Sequence, residues 1–170
     1  MNKLADLFFF NMQLKVYNKD KKAPKPNQPI QPGVCAVILN RKNKIFLHKR
    51  TDSVFWALPG GTMEIGESIS QCCLREIREE TNLKARIEKM IGAYTSPDCV
   101  FEWNDGVKSK VWQIFVVAFL CKVENDRVKL NDESSDFGWF SEKEIKEMDT
   151  LPYVKETAKD ALRGRKTYFD

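Results

Sequence analysis

The stretch from Leu58 to Leu83, LPGGTMEIGESISQCCLREIREETNL, decides the fold of this chain. It opens with a glycine-rich loop. A helix follows, because Ser68 and Gln71 have the spacing of a capping box. Asn82 can adopt the left-handed backbone conformation that ends a helix, so the helix is expected to end at about Thr81. The stretch therefore predicts a flexible loop joined directly to one strongly marked helix.

Three glutamates of this helix lie on one face. Glu76, Glu79 and Glu80 are spaced i, i+3 and i+4, which brings their carboxylates close together. Like charges in this arrangement repel and weaken a helix unless something compensates them. Mg²⁺ is the natural candidate, since it prefers carboxylate oxygens and gathers phosphate oxygens around itself. The alternative is a solvated, salt-bridged helix face.

The other face of the helix is apolar. Ile69, Cys73 and Ile77 recur every four residues and are expected to pack on a sheet, while the glutamates point outward. The apolar face of the helix is thus predicted to pack in the core, and the acidic face is predicted to carry the chemistry.

The loop is expected to be tied to the helix by an ion pair. Glu67 precedes Arg75 by eight residues, a spacing that allows a loop-to-helix contact. The backbone of Gly60 and Gly61 would then be free to approach a ligand or metal. Loop and helix are predicted to form one site.

Further elements are read outward from this stretch. A hairpin is predicted from the buried-strand run at 34–39 and the run at 45–48, which a polar turn separates. Capping or turn signals accompany several of the later elements. The later elements are strands at 85–94, 99–103, 111–123 and 137–140, a short helix after Ser141, and a helix from Val154 to Arg163 closed by Gly164. This order favours an α/β fold, a mixed-sheet α/β/α sandwich.

The first 32 residues are expected to be an extension of a domain that spans 33–170. Residues 21–33 hold four of the seven prolines and are typical of an extended linker. Residues 7–17 are apolar enough to form a short helix or strand, and periodicity leaves the choice open. Their exposed phenylalanines would need a surface, which makes a homodimer possible.

The charge distribution argues against a dedicated surface for duplex nucleic acid. The chain carries a formal net charge of +4, and the segment up to Gly33, with six lysines and two aspartates, accounts for all of it. The remaining residues are formally neutral and show no basic stripe.

Cysteine and histidine content excludes other classes. Five cysteines without a CxxC pair and one histidine, His48, do not supply a zinc site. The cysteines are expected to be reduced and buried, which together with the lack of a secretory signal or an 18-residue apolar run predicts a cytoplasmic protein without a membrane anchor.

The pattern of Gly61, Glu67 and the run REIREETNL from Arg75 resembles the Nudix box of the MutT-like Nudix hydrolases. Asn82 stands where the box has glycine, a substitution that a left-handed backbone tolerates. The resemblance implies an α/β/α sandwich and Mg²⁺- or Mn²⁺-dependent hydrolysis of a nucleoside diphosphate linked to another moiety. It also implies the following roles: metal binding for Glu76, Glu79, Glu80 and the Gly60 carbonyl, and a structural pair formed by Glu67 and Arg75.

A further acidic residue often completes the site in this family. Glu133, before the strand at 137–140, is the candidate catalytic residue beside Glu79 and Glu80, with Asp132 and Asp136 as second choices. A polar turn is the alternative for this segment.

Substrate contacts are expected from four residues: Arg50 on a phosphate, and Phe55, Gly61 and Tyr94 along the substrate. Three further aromatics, Phe101, Trp103 and Trp112, are candidates for stacking on a base or for the core. His48 is expected to be structural.

Substrate class is predicted from one further feature. Pro97 lies 14 residues after Leu83, which resembles ADP-ribose pyrophosphatases of the family with a one-residue offset. An ADP-ribose-like substrate is therefore preferred. The alternatives are a nucleoside triphosphate pyrophosphohydrolase, acting on oxidised nucleotides among others, and a non-catalytic module that binds a nucleotide or RNA.

Overall fold

The structure is a computed structural model that describes residues 13–164 and 167–169. Within these residues the chain forms two sheets and three helices. The strands are β1 (Gln13–Asn18), β2 (Gln31–Ile38), β3 (Ile45–Arg50), β4 (Trp56–Ala57), β5 (Gly60–Thr62), β6 (Ala85–Asn104), β7 (Ser109–Val123), β8 (Ser134–Phe140) and β9 (Tyr168–Phe169). The helices are α1 (Ile69–Thr81), α2 (Glu142–Glu147) and α3 (Pro152–Arg163).

The larger sheet is mixed. Its strand order is β1-β6-β7-β2-β5, with β9 beside β6. The β2–β7 and β6–β9 pairs are parallel, whereas the β1–β6, β6–β7 and β2–β5 pairs are antiparallel. The β6–β7 hairpin closes between Asn104 and Ser109, as the turn signal predicted. The two strands expected at 85–94 and 99–103 are one strand, β6, with an irregularity between Thr95 and Val100.

The predicted hairpin of β2 and β3 is wrong. Strand β3 belongs to a second sheet of order β4-β3-β8, and only an isolated bridge between Leu39 and Ile45 links it to the end of β2. The apolar runs were sufficient to identify both strands, but β2 finds its partners in β5 and β7 because its residues are buried on both faces.

Alternate residues of β2 enter two different apolar layers, which makes the fold an α/β/α sandwich. Val34 and Ile38 lie in the layer that includes Cys73 and Ile77 of α1. Cys35 lies in the opposite layer, with α3. The predicted apolar face of α1 is therefore confirmed at Cys73 and Ile77, whereas Ile69, in the first turn, is 38% exposed.

The ends of the helices follow the predicted signals. Ser68 accepts from the backbone N–H of Gln71, whose side chain accepts from the Ser68 N–H in return. Asn82 closes α1 with φ of 58°. Ser141 forms the same kind of capping box on α2, and Gly164 ends α3 in the left-handed conformation. These local bonds fix where α1 begins relative to the glycine-rich loop.

Part of the predicted N-terminal extension belongs to the sheet. Strand β1 pairs with β6 along its whole length, and the side chain of Leu14 is buried in the core. The proline-rich segment is also held in place, because the N–H groups of Asn27 and Gln28 both donate to the Val111 carbonyl. Residues 7–12, where a helix or strand was expected, lie outside the described residues.

None of the helices among the described residues is long and apolar enough to cross a bilayer.

Candidate active site

The glycine-rich loop is placed by short strand β5. Gly61 pairs with Val34 of β2. This pairing places the loop beside α1. The Gly60 N–H then donates to Oε2 of Glu80 over 2.8 Å. A Cβ on Gly61 would overlap the Glu76 carboxyl group, so the backbone approaches this carboxylate as closely as a glycine allows. Loop and helix form one site, as the spacing predicted.

Arg75 joins the loop to the acidic face. Its guanidinium donates to both carboxylate oxygens of Glu67, over 2.8 and 3.0 Å. The contact predicted between these two residues is therefore present. The hydrogen bonds from Arg75 lower the pKa of Glu67 to about 2. The other side of the same guanidinium donates to Glu76 over 2.8 Å and to Glu79 over 3.0 Å.

The three glutamates lie at different depths. Glu79 is 56% exposed at its side chain, as expected for an outward-facing residue. The expectation that all three point outward is wrong for Glu80, of which only 3% is exposed. Spacing on a helix defines a shared face, but the loop above α1 covers the C-terminal part of that face.

Burial changes the ionisation of the two deeper carboxyl groups. It raises the pKa of Glu80 to about 8, against the opposing effect of the Gly60 N–H bond, and Glu76 and Glu133 add to the rise. Burial also raises the pKa of Glu76, although Arg75 opposes the rise. The site is therefore a negative cluster that Arg75 compensates only in part.

A cavity of about 450 Å³ extends from this cluster. Eight of the predicted site residues line it: Arg50, Gly60, Gly61, Arg75, Glu76, Glu79, Glu80 and Glu133. Arg50 is held there by Asp52, whose carboxylate accepts from Nε over 2.7 Å. Phe101, Trp103 and Trp112 form an aromatic part of the wall, with the Phe101 and Trp112 rings 6.4 Å apart.

The structure does not bring Phe55 and Tyr94 to this cavity. Phe55 is half-buried against the core. The Tyr94 hydroxyl donates to Asp160 over 3.0 Å, and its ring stacks on Tyr168. Tyr94 instead lines a neighbouring cavity of about 570 Å³. The second-choice residues Asp132 and Asp136 are likewise absent from the wall of the glutamate cavity among the described residues.

Sequence reasoning missed two residues near the cluster. Tyr153, on α3, lines both cavities, and no local signal marks it. His48 lies on β3 with Nε2 at 3.8 Å from Glu80 Oε2. Burial lowers the pKa of His48 to about 4, with Arg50 adding to the effect. The sequence predicted only a structural role for His48. Its proximity to Glu80 depends on tertiary structure and has no local signal in the sequence.

The chemistry of the donor set fits a hard divalent cation. Within the described residues, no three acidic, histidine or cysteine side chains already stand together as a metal site, because Arg75 holds Glu76 and Glu79. However, burial favours the protonated form of Glu80 until a cation takes the place of its proton, and oxygen is the only ligand type that the side chains of Glu76, Glu79 and Glu80 offer. Glu76, Glu79 and Glu80 are the residues suited to hold such a cation.

The fold and this acidic loop-and-helix site are those of phosphoanhydride hydrolases built on an α/β/α sandwich. The chain belongs to the NUDIX domain family, since the family model matches residues 29–161. It is 31% identical over 106 residues to an ADP-ribose pyrophosphatase of Methanocaldococcus jannaschii, covering 61% of this chain and 57% of that protein.

Two further comparisons span most of both chains. The chain is 34% identical over 137 residues to nucleoside triphosphatase NudI of Escherichia fergusonii, covering 77% of this chain and 94% of that protein. The crystal structure of a MutT protein from Methanosarcina mazei Go1 superposes with a TM-score of 0.66 at 25% identity, covering 84% of this chain and all of that chain. The predicted family and fold class are confirmed.

Proposed function

We propose that this Nudix hydrolase is a divalent-metal-dependent pyrophosphohydrolase that cleaves a nucleoside diphosphate linked to another moiety, with an ADP-ribose-like compound as the favoured substrate. The observation that carries the proposal is the convergence of Glu76, Glu79, Glu80 and Glu133 on one cavity that also has an aromatic wall. Acidic side chains bind the metal, and aromatic rings suit a nucleobase.

The acidic residues have two tasks in this proposal, metal binding and activation of water. Glu76, Glu79 and Glu80 hold Mg²⁺ or Mn²⁺, assisted by the carbonyl of Gly60. When bound, the cation neutralises charge on the phosphate oxygens and lowers the pKa of a bound water. Glu133 orients or deprotonates the attacking water, because it lines the same cavity from a separate loop.

Arg75 and Glu67 keep the loop in place rather than taking part in the reaction. The bidentate contact between them fixes the loop against α1. When the cation binds, Glu76 and Glu79 are expected to exchange their bonds with Arg75 for bonds to the metal, while the bond to Glu67 persists. Arg50 faces the same cavity and is placed to contact a phosphate.

The neighbouring cavity supports a substrate with two bulky ends. It shares Tyr153 and Ile114 with the glutamate cavity, so the two spaces adjoin along these side chains. A nucleoside diphosphate derivative would place its base against Trp103 and Trp112 and its second moiety toward Tyr94. Tyr94 would then contact the far end of the substrate.

The comparison with nucleoside triphosphatase NudI favours a second candidate. That relative is aligned over 94% of its length, whereas the ADP-ribose pyrophosphatase is aligned over 57%. Hydrolysis of a nucleoside triphosphate, oxidised ones included, to monophosphate and pyrophosphate would use the same glutamates. The third alternative is a module that binds nucleotide or RNA without turnover. It is less favoured, because it gives no catalytic role to the four glutamates of the cavity.

A substrate panel separates these possibilities. The purified protein is incubated with ADP-ribose, other nucleoside diphosphate sugars and nucleoside triphosphates, with and without Mg²⁺. AMP and ribose phosphate are expected from ADP-ribose. Pyrophosphate released from triphosphates as the main product would support the second candidate, and nucleotide binding without product under any metal would support the third.

Variants of the acidic face test the assigned residues. Glu79→Gln is expected to reduce turnover at least about a hundredfold, since it removes a metal ligand from an exposed position. Glu147→Gln, an exposed carboxylate at the end of α2, is the matched control and should retain the wild-type rate. A Glu79→Gln protein with the wild-type rate would remove Glu79 from the site.

We propose the cytoplasm as the compartment of this protein. All five cysteines are buried and free, which suits a reducing environment. The homodimer also remains a proposal, which sedimentation of the purified protein would test.

A further inference from the structure

His48 is a buried side chain beside the glutamate cluster to which the proposed function gives no task. It is the only histidine in the chain, and 1% of it is exposed. Its Nδ1 lies 2.6 Å from Ser134 Oγ, and its Nε2 lies 3.8 Å from Glu80 Oε2. Within the described residues Nε2 has no partner that meets hydrogen-bond geometry. A buried donor in this state needs an explanation, because such atoms are almost always bonded.

The tautomer of the ring decides which of its neighbours it can bond to. Ser134 is buried, and its hydroxyl forms its only side-chain hydrogen bond within the described residues with His48 Nδ1. A hydroxyl that donates to Nδ1 leaves the ring proton on Nε2. In this tautomer two acceptors lie beside the ring, Oε2 of Glu80 at 3.8 Å from Nε2 and the Leu58 carbonyl.

The two oxygens of Glu80 are used differently. Oε2 accepts from the Gly60 N–H and is also the oxygen nearest to His48. The hydrogen bond that Glu80 accepts from the Gly60 N–H is to Oε2 and leaves Oε1 available to a cation. A distance of 3.8 Å is too long for a direct hydrogen bond, but a small shift of the ring would bring Nε2 and Oε2 within range.

We infer that His48 is a positioning residue for Glu80: with its Nδ1 held by Ser134, its Nε2–H and the Gly60 N–H together fix Oε2, so that Oε1 is the oxygen presented to the divalent cation. Outer groups that orient a ligand are a general feature of metal sites, and their loss commonly weakens metal affinity about 10- to 100-fold. The inference rests on the proposed function, since it requires Glu80 to bind the cation.

Nitrogen-15 NMR of the wild-type protein without metal is the first test. A single histidine gives one set of ring signals, so the tautomer is read without assignment. The expected result is an imidazole protonated at Nε2, whose signal moves in Glu80→Gln. An imidazole protonated at Nδ1, or a ring signal that Glu80→Gln leaves unchanged, would overturn the inference.

Calorimetric titration with Mg²⁺ alone is the second test. His48→Leu is expected to weaken binding about 10- to 100-fold, and His48→Gln, which keeps an N–H donor, should recover part of the loss. Ser134→Ala should weaken binding less, whereas Ser135→Ala, an exposed neighbour, should match the wild type. If His48 has a purely structural role, His48→Gln should bind Mg²⁺ no more tightly than His48→Leu.

The outcomes separate the inference from the proposed function. A wild-type protein that binds no Mg²⁺ would refute the metal-dependent function itself. Wild-type binding with His48→Leu and Ser134→Ala both within twofold of it would overturn the role of His48 and leave that function intact. If His48→Leu fails to fold, Ser134→Ala and the NMR tautomer decide.

Discussion

Substitution by alanine is expected to affect the two adjacent glycines of the loop differently: Gly60→Ala should lower the stability of the fold, and Gly61→Ala should lower activity. In Gly60→Ala the new methyl would meet backbone atoms, the Val34 carbonyl oxygen and the Cα of Cys35. In Gly61→Ala it would meet only the end of the Glu76 side chain. A backbone cannot move aside without disturbing the sheet, whereas a glutamate side chain can rotate away.

The cost of Gly60→Ala follows from two losses. Overpacking against the backbone costs about 1–3 kcal/mol. Separation of β5 from β2 also breaks the bond from the Gly60 N–H to buried Glu80, worth about 0.5–1.5 kcal/mol for the protonated carboxyl group that burial favours. A loss near 3 kcal/mol lowers the melting temperature of a chain this size by roughly 9 °C.

Gly61→Ala should instead fold normally and lose activity. Because Glu76 gives way, its melting temperature should stay within about 3 °C of the wild type, a change of about 1 kcal/mol. The displaced carboxylate would leave the proposed metal site incomplete, so the hydrolysis rate should fall at least about tenfold.

Thermal unfolding followed by circular dichroism and Mg²⁺-dependent hydrolysis, measured on both variants, check this contrast. If Gly60→Ala melts with the wild type, or Gly61→Ala hydrolyses substrate at the wild-type rate, the loop does not lie against the sheet and Glu76 as described.

Three further predictions concern the loop, the helix cap and the aromatic wall. Hydrogen bonds from Arg75 lower the pKa of Glu67 from 4.5 to about 2. The contact should therefore stabilise the folded state fully above pH 4.5, and this stabilisation should be lost as the pH falls through 2. Carboxyl-carbon NMR that shows Glu67 titrating near 4.5 would contradict this prediction. Ser68→Ala removes the cap of α1 and should cost about 1 kcal/mol, or about 3 °C in melting temperature, whereas Ser70→Ala in the first turn should cost nothing. Trp112→Leu should raise the KM for a nucleotide about tenfold with a smaller change in kcat, and an unaltered KM would exclude this ring from base binding.

Features that depend on neighbouring residues were predictable from the sequence. The capping boxes at Ser68 and Ser141 and the left-handed Asn82 each involve bonds within a few residues, so the local pattern contains all the information needed. The contact between Glu67 and Arg75 was predictable for the same reason, since loop and helix are continuous.

Features that depend on distant parts of the chain were not. The strand runs of β2 and β3 were recognisable, but their pairing was not, because β2 pairs with β7 from the other half of the chain. The depth of Glu80 depends on the loop that folds over α1. Likewise, nothing in the composition of the aromatic positions separates Trp103, which faces the glutamate cavity, from Phe55, which does not.

Strand β1 contributes to the wall of the glutamate cavity, although it precedes the residues that the family model matches. The NUDIX match begins at residue 29, yet Leu14 lines the glutamate cavity and pairs in register with Trp103, and Val16 pairs with Phe101. An N-terminally shortened protein that starts at residue 29 would keep the four glutamates of the cavity and lose the strand that pairs with the two aromatic positions. The shape of the aromatic wall therefore depends on a strand that precedes the first residue matched by the family model.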